Sequence, residues 1–463
     1  MRTQALDQGD KYCIIGAGPS GLSMAVEFRR RSIPYDHFEK RAQLGGVWEI
    51  ENPGSPMYQS AHLISSKTMS GFWDFPMPAG YPDFPRHDQV LAYLKAYAGH
   101  HQLEPQIQFG TEVEEVIPEM PKDNRAPEPS GVLVRVAGEL RRYAGVVCAS
   151  GCNWEPRVPT IPGEFSGEVR HAVTYKSPNE FADKRVLIVG LGNSGADIAC
   201  DAARAAKRAV VSVRRGYYFV PKHLFGIPAD VFASEGPHLP LWLEKPLFGW
   251  LLRLIVGDLG RYGMPRPDHA LLDTHPIIND QLLHHLRHGD VRLAGDVQSF
   301  QGSSVCFADG TTEEFDLVLL ATGYTRRIAY LDAQYLDPGT WAASQFLTCF
   351  SRKFPGLFTL GFAEINGALL PVVSRLAILI AEIARLRRTD PGRVQRYFEW
   401  VRRAELDLSG GRKLLNTPRH DHYCDDHALT SALRKAFARL ALDWPKTAAS
   451  DPLLLPPRAP GPV

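Results

Sequence analysis

A glycine-rich segment near the amino terminus has the residue types and spacing of a dinucleotide-binding turn. An apolar run precedes it and a helix-like stretch follows it; its candidate binding residues are Gly16, Gly18, Pro19, Ser20 and Gly21. In such a turn the first glycine permits a sharp bend, the second admits a pyrophosphate against the backbone, and the third lets helix and strand pack closely. The pattern predicts binding of an adenine dinucleotide, and a turn whose glycines serve packing alone is the alternative.

An acidic residue stands where such a site needs one. Glu39, followed by Lys40, ends the next apolar run after the turn. A carboxylate at the end of that strand hydrogen-bonds the ribose hydroxyls of a dinucleotide. Glu39 and Lys40 therefore join the predicted cofactor-binding residues.

A second segment repeats the same order of apolar run, glycine turn and helix-like stretch. Its candidate binding residues are Gly190, Gly192, Asn193, Ser194, Gly195 and Asp197. No acid occupies the position that corresponds to Glu39, and Arg214 and Arg215 stand there instead. Because guanidinium groups suit a 2′-phosphate by charge and by bidentate geometry, this turn is predicted to prefer NADPH to NADH. The alternative is that both arginines are solvated loop charges.

Because the first turn is followed by an acid and the second by arginines, the two turns are predicted to bind different cofactors. FAD at the first turn and NADPH at the second is the simplest pairing, because hydride passes readily from nicotinamide to flavin. No metal site is predicted beside them. The closely spaced His284, His285 and His288 lack Cys or carboxylate neighbours at ligand spacing and indicate a solvated helix face.

The elements that must position these turns predict the fold class. Two strand–turn–helix–strand units indicate an α/β protein with two Rossmann-like dinucleotide-binding domains, the second inserted into the first. Residues 1–158 and 313–445 are predicted to form the discontinuous FAD-binding domain, 159–312 the NADPH-binding domain, and 446–463 an irregular tail. Buried strands are expected within 143–151 and 315–324, and a helix over 371–388.

Composition excludes several classes of protein. Lys and Arg number 52 against 51 Asp and Glu, so the net charge is +1 and neither nucleic acid nor an anionic membrane is expected as the main partner. Hydrophobic residues make up 44% of the chain, which predicts a globular protein with a large core. The seven cysteines show no CxxC spacing and are too sparse for a disulfide scaffold, which fits a reducing, cytoplasmic compartment.

The remaining apolar signal is the stretch 239–256. The charges of Glu244, Lys245 and Arg253 interrupt it, so it is not predicted to span a bilayer, and the amino terminus lacks the apolar run of a signal peptide. A helix packed on the core or over a substrate cavity is expected. A weak membrane-surface contact through Trp242 and Trp250 is the alternative. A homodimer is left open.

Together these motifs resemble those of the flavin-containing monooxygenases, which are class B flavoprotein monooxygenases. GAGPSG at 16–21 is similar to the family's FAD turn, GGVW at 45–48 to its second glycine motif, GLGNSGAD at 190–197 to its NADPH turn, and ATGY at 321–324 to the segment where the chain rejoins the FAD domain. The family fingerprint F-x-G-x-x-x-H-x-x-x-Y is carried by Phe165, Gly167, His171 and Tyr175. The resemblance adds six candidate cofactor-binding residues: Gly46, Val47, Trp48, Ser65, Val113 and Thr322.

The resemblance also implies a reaction. NADPH would reduce FAD, O2 would add to the reduced flavin to give a C4a-hydroperoxide, and a small amine or sulfide would take the distal oxygen atom. The protein would then contribute positioning and exclusion of water, and no catalytic residue is assigned.

One departure from the family pattern leaves other functions open. In many members an asparagine that is associated with the flavin intermediate occupies the position of Ile64 in YQSAHLISSKTM. Isoleucine cannot hydrogen-bond, so an NADPH oxidase that releases hydrogen peroxide is one alternative. A Baeyer–Villiger monooxygenase acting on a ketone is another, although Tyr175 stands where that fingerprint has tryptophan. A non-catalytic nucleotide-binding protein is a third. A two-cysteine flavoprotein reductase is excluded because no cysteine lies between Cys13 and Cys148.

Overall fold

The structure is a computed structural model that describes residues 5–120, 131–235, 241–336, 345–413 and 423–446. Two mainly parallel sheets dominate it, and each carries one of the two glycine turns. Of the tail predicted over 446–463, all but Lys446 lies outside the described residues.

The first sheet has seven strands, and five of them are mutually parallel. In spatial order they are Gln345–Phe346, Phe350–Ser351, Leu357–Thr359, Gly145–Cys148, Tyr12–Ile15, Tyr35–Phe38 and Ile107–Gln108. Every residue of the central strands Tyr12–Ile15 and Gly145–Cys148 is buried, which explains why they are continuous apolar runs in the sequence. The second of these two strands lies within the predicted stretch 143–151.

Helices cover the first sheet and create the main core. Helix Pro19–Arg30 follows the first glycine turn and packs on Leu369–Thr389, the long helix expected over 371–388. The other helices of this unit are His87–His100, Pro391–Arg403 and Asp426–Arg439.

The second sheet has five parallel strands. In spatial order they are Glu168–His171, Leu317–Leu320, Arg185–Val189, Arg208–Ser212 and Val291–Ala294. Helices Asn193–Ala205 and Gln281–His288 pack against it.

The strand Leu317–Leu320 departs from the predicted domain boundary. The sequence-based division places residues 313 onward in the FAD unit, but this strand pairs with Glu168–His171 and Arg185–Val189 inside the second sheet. All four of its residues are buried, so its apolar pattern fits the centre of either sheet and does not indicate which one it joins. The chain therefore returns to the first unit after this strand.

Smaller sheets complete the fold. A meander of Val113–Pro118, Val132–Val136 and Glu139–Tyr143 also pairs with Leu6–Asp7. A second small sheet contains Gly163–Phe165, Val297–Gly302, Ser304–Phe307 and Thr312–Glu314. Two-residue strands pair as Phe219–Val220 with Ile277–Ile278, His223–Leu224 with Ile227–Pro228, Glu155–Pro156 with Tyr324–Thr325, and Glu364–Ile365 with Tyr423–Cys424.

The apolar stretch 239–256 forms the helix Leu241–Val256, which follows the short helix Ala229–Glu235. Leu252 is buried with Val220 and Leu271, whereas Trp250 on the opposite side is 61% exposed. Within the described ranges, no helix combines the length and apolar character that are needed to cross a membrane.

Candidate active site

The backbone of the first glycine turn requires glycine at two positions. Gly16 has φ +105°, and a Cβ there would lie 2.7 Å from the carbonyl oxygen of Ala149. A Cβ on Gly21 would lie 1.8 Å from the carbonyl oxygen of Gly16. Gly18 caps helix Pro19–Arg30 without any side-chain hydrogen bond, and Ser20 lies buried in its first turn. The first N–H groups of the helix are therefore free to donate hydrogen bonds to a phosphate.

Glu39 lies directly beside this turn. Its two carboxylate oxygens accept hydrogen bonds from the Ala17 N–H at 2.6 Å and the Arg41 N–H at 2.8 Å. Each oxygen keeps a second lone pair, which can accept a ribose hydroxyl. Lys40 instead extends outward, with its Nζ 5.9 Å from the ring centre of Trp154.

The second glycine motif faces the first. Gly46, which opens the short turn Gly46–Trp48, has φ +59°, and a Cβ on it would lie 3.1 Å from the Cα of Gly18. Asn52 donates to the Gly46 carbonyl at 2.9 Å and Ser55 donates to the Val47 carbonyl at 2.6 Å. The two glycine backbones form a narrow cradle that has no side chains between them.

Val113 and Ser65 lie on separate segments around the first unit. Val113 is buried at the start of strand Val113–Pro118, just after Thr111, whose N–H donates to the Glu39 carbonyl at 2.9 Å. The hydroxyls of Ser65 and Ser70 are 2.7 Å apart. Ile64, next to Ser65, is 37% exposed. Ile64 is thus an exposed apolar side chain next to the hydrogen-bonded hydroxyl of Ser65.

His37 supports the first turn from below. Its Nε2 is 2.9 Å from the carbonyl oxygen of Gly16, and its side chain is fully buried. Burial lowers the pKa of His37 to about 4, so the ring is neutral and Nε2 donates to that carbonyl at neutral pH. The sequence pattern did not single out this residue.

Acidification is expected to destabilise the protein through His37. Because its pKa in the folded state lies below the unfolded value of about 6.5, the stabilisation is complete above 6.5 and is lost as the pH falls toward 4. His37→Gln keeps a donor but cannot titrate, so the wild-type advantage in free energy of unfolding should shrink by about 2 kcal/mol between pH 7 and pH 5. Urea denaturation at both pH values measures this. Groups present in both proteins cancel in the difference, and a difference that is independent of pH would contradict the expectation.

The second glycine turn repeats the geometry of the first. Gly190 has φ +103°, and a Cβ on Gly195 would lie 2.3 Å from the Gly190 carbonyl oxygen. A Cβ on Gly192 would meet no atom within 4 Å. Gly192 also caps helix Asn193–Ala205 without a side-chain hydrogen bond. Open space and free N–H groups therefore coincide at this helix terminus.

Residues around the second turn have different partners. Asn193 accepts the Ile278 N–H at 2.8 Å, which ties the helix start to a neighbouring strand. Thr322 lies beside the turn and its hydroxyl donates to the Arg157 carbonyl. Arg214 is exposed and has no ion-pair partner among the described residues, whereas the guanidinium of Arg215 lies 5.8 Å from the ring centre of Tyr217.

Asp197 is bonded within the protein. Its carboxylate accepts hydrogen bonds from Asn279 at 2.7 Å and from the Tyr58 hydroxyl at 3.3 Å. Burial raises the pKa of Asp197 to about 6. The side chain of Ser194, one turn earlier, also lies near Tyr58. The Tyr58 contacts were missed from the sequence, although Tyr58 opens the motif YQS.

The fingerprint residues connect elements of the framework. Nε2 of His171 donates to the Gly323 carbonyl at 3.0 Å, while its Nδ1 accepts the Val173 N–H at 3.1 Å. Tyr175 donates to Asp201 at 2.9 Å. Phe165 packs on Phe300 with ring centres 5.2 Å apart. The motif therefore links the ATGY segment with the helix of the second turn.

One histidine of helix Gln281–His288 differs from the expected solvated face, whereas His284 and His288 are exposed as predicted. His285 is buried and its Nδ1 lies 2.9 Å from Asp290, because the helix packs its apolar side on the second sheet and carries His285 inward. In the described part of the chain, no three His, Cys, Asp or Glu side chains are grouped so that they could hold a metal ion.

Comparison with known proteins shows similarity over most of the chain. The family model "Flavin-binding monooxygenase-like" matches residues 9–410. The indole-3-pyruvate monooxygenase YUCCA1 of Oryza sativa subsp. japonica is 32% identical over 373 residues, which cover 76% of this chain and 86% of that protein. The flavin-containing monooxygenase 5 of Homo sapiens is 29% identical over 434 residues, which cover 89% of this chain and 79% of that protein.

Solved structures share the fold at lower identity. Cyclohexanone monooxygenase from Rhodococcus sp. Phi1, bound to NADP+, superposes with a TM-score of 0.69 and 17% identity, over 95% of this chain and 98% of that chain. The S-allyl-L-cysteine S-oxygenase of Allium sativum superposes with a TM-score of 0.61 and 19% identity, over 94% and 89%.

Proposed function

The chain belongs to the flavin-binding monooxygenase-like family and is an FAD-dependent, NADPH-consuming monooxygenase, and on this basis we propose that it oxygenates the nitrogen or sulfur of a small organic substrate. The observation that carries the proposal is the pair of helix termini at the two glycine turns, neither of which has a side-chain cap. Each unit can bind one nucleotide at its helix terminus. An amine or sulfide is itself nucleophilic, so its oxygenation needs no acid–base pair from the protein.

The residues around the first turn fit FAD. The cradle between Gly18 and Gly46 gives a pyrophosphate close access to the backbone, and Glu39 has lone pairs left for ribose. Trp48 follows in the same turn. When bound, FAD takes up the hydride of NADPH and activates O2 for transfer of one oxygen atom.

The residues around the second turn fit NADPH. Gly192 leaves open space at the helix terminus for the pyrophosphate, and the exposed Arg214 offers an unpaired guanidinium to the 2′-phosphate. The chain's task is to bind and orient the two nucleotides and to exclude water from the space between them.

The experiment that tests this function is anaerobic reduction of the FAD-loaded protein with NADPH, followed by mixing with 18O2 and a panel of amines, sulfides and ketones. The proposal expects one 18O atom in an amine or sulfide product, identified by mass spectrometry. Esters from the ketones would instead show Baeyer–Villiger chemistry. Stoichiometric hydrogen peroxide with every substrate would show an NADPH oxidase, and either result would overturn the proposal.

Ile64 favours some oxidase activity, because its exposed apolar side chain has no hydrogen-bonding group to offer. Ile64→Asn is expected to lower the hydrogen peroxide formed per NADPH, by roughly two- to tenfold if one hydrogen bond of about 0.5–1.5 kcal/mol is gained. Ile64→Val is the matched control, since it keeps the apolar surface. A peroxide assay run beside NADPH consumption measures the ratio, and negligible peroxide from the wild type would refute the hypothesis.

A further inference from the structure

Residues 55–62, here called the junction segment, cross from one unit into the other. The segment follows the second glycine motif and belongs to the first unit by chain order. Tyr58 and Ala61 are nevertheless each 5% exposed and lie in the hydrophobic core of the second unit. The Tyr58 ring is 5.6 Å from the ring of Tyr175, between ring centres. The first unit is therefore anchored inside the core of its neighbour.

Two carboxylates on one helix hold the junction segment. Asp197 accepts a hydrogen bond from Tyr58 at 3.3 Å, and Asp201 accepts one from Ser60. These aspartates are four residues apart on helix Asn193–Ala205, so both side chains lie on the same face. Asp201 also accepts a hydrogen bond from Tyr175 at 2.9 Å. The helix that begins at the second glycine turn is thus bound to the junction segment at two successive turns.

Lys176 binds the backbone of the same segment. Its Nζ donates to the carbonyls of Ser55 at 2.7 Å and Met57 at 3.0 Å. Its own carbonyl accepts the Gln59 N–H at 2.9 Å. Lys176 directly follows the fingerprint residue Tyr175, so the end of the fingerprint motif and helix Asn193–Ala205 hold the segment together.

The position of this segment matters for hydride transfer. Toward its start lies the cradle at Gly46, and just beyond its end lies Ile64. The helix that holds it starts at Gly192, where the second pyrophosphate is expected. A shift of the junction segment along this helix would move one nucleotide site relative to the other. Since misplacement of reacting groups by 1 Å costs about 100-fold in rate, such a shift would slow the two-electron transfer that oxidises NADPH and reduces FAD.

We propose that Tyr58 is a positioning residue for flavin reduction, which sets the distance between the two nucleotide sites through its hydrogen bond to Asp197. In this role Tyr58 acts through the helix and the junction segment, which it joins.

Charged and titratable groups surround the acceptor on every side. Asp201 and Cys200 lie near Asp197 on the same helix. Tyr58 approaches it from the junction segment, and Lys222 approaches it from just before strand His223–Leu224. Further groups that line the same interdomain pocket are His62, Arg204, Asn279 and Asp280. The carboxylate of Asp197 is a stronger acceptor for Tyr58 than the protonated acid. The hydrogen bond should therefore weaken as the pH falls through about 6.

The first test is Tyr58→Phe, which keeps the ring in the core and removes only the hydroxyl. In anaerobic stopped-flow experiments, reduction by saturating NADPH per bound FAD should slow about tenfold, while dithionite reduction and the Kd for NADPH change less than about twofold. Tyr93→Phe is the matched control. It removes a buried hydroxyl that accepts the Phe72 N–H at 2.7 Å within the first unit, and it should leave these rates unchanged.

A second readout does not depend on turnover. Amide hydrogen exchange of the FAD-loaded protein without NADPH should increase at Gln59 in Tyr58→Phe, by about tenfold, and not in Tyr93→Phe. Exchange within strand Tyr12–Ile15 should stay unchanged in both. Wild-type exchange at Gln59 together with a wild-type reduction rate would overturn the proposal.

A third test measures how the rate of flavin reduction depends on pH, because Asp197 is a stronger acceptor when it is ionised. The wild-type rate of reduction by NADPH should rise with a midpoint near pH 6, and Asp197→Asn should make it independent of pH across that range. Burial lowers the pKa of His62, which lines the same pocket and is untouched in this variant. An unchanged profile in Asp197→Asn would therefore assign the midpoint to another group and contradict the role of Asp197.

Discussion

Gly21→Ala is expected to yield a protein that does not retain FAD. A Cβ at this position would lie 1.8 Å from the Gly16 carbonyl oxygen and 3.2 Å from Nε2 of His37. Both neighbours belong to the framework of the turn, since the first is backbone and the second is a fully buried ring. The helix must move away from the strand to admit the methyl group, and the cradle opposite Gly46 opens. Overpacking of this kind costs about 1–3 kcal/mol, which corresponds to a loss of roughly 5- to 150-fold in FAD affinity.

The ratio of flavin to protein absorbance after gel filtration measures this effect. Gly99→Ala is the matched control, because a Cβ there meets no atom within 4 Å and the residue lies in helix His87–His100. This control should retain FAD and gain about 0.5–1 kcal/mol in free energy of unfolding. Full FAD occupancy in Gly21→Ala would show that the turn does not carry the binding site.

Arg214→Ala is expected to change the preference between the two nicotinamide nucleotides. The Arg214 guanidinium is exposed just beyond strand Arg208–Ser212 and meets no acid among the described residues. A charged hydrogen bond to the 2′-phosphate is worth about 1.5–3 kcal/mol, so the KM for NADPH should rise roughly 10- to 100-fold. NADH has no 2′-phosphate, and its KM should change less than about twofold.

Steady-state kinetics with both nucleotides test this expectation. Arg208→Ala is the matched control, because Arg208 begins the same strand at its other end and pairs with Glu313. It should leave both KM values close to those of the wild type. Equal effects of Arg214→Ala on NADPH and NADH would remove Arg214 from the 2′-phosphate site.

Both expectations start from features that are visible in the sequence alone. The need for glycine at Gly16, Gly21, Gly190 and Gly195 follows from local backbone geometry, and the structure shows the close contacts that explain it. The α/β fold class and the two cofactors, FAD and NADPH, are confirmed by the family match and the shared fold. The assignment of individual residues to each nucleotide stays a prediction that the variants test.

The fingerprint shows how far a motif alone can lead. Phe165, His171 and Tyr175 identify the family by their spacing, but the spacing does not say what they touch. The structure shows that they contact Phe300, Gly323 and Asp201, so the motif joins the ATGY segment to the helix of the second turn.

The sequence by itself determined the two strand–turn–helix units, their glycines and the acid–arginine contrast between Glu39 and Arg214, because these depend on residues close together along the chain. Only the tertiary structure decided that Leu317–Leu320 joins the second sheet, and that Asp197 faces Tyr58 across 139 positions of sequence. An apolar strand fits either sheet and a buried carboxylate accepts from any donor, so their partners are set by packing between distant segments. The two glycine turns therefore predicted that nucleotide cofactors are bound. The contacts between the units decided how the two nucleotide sites are held together.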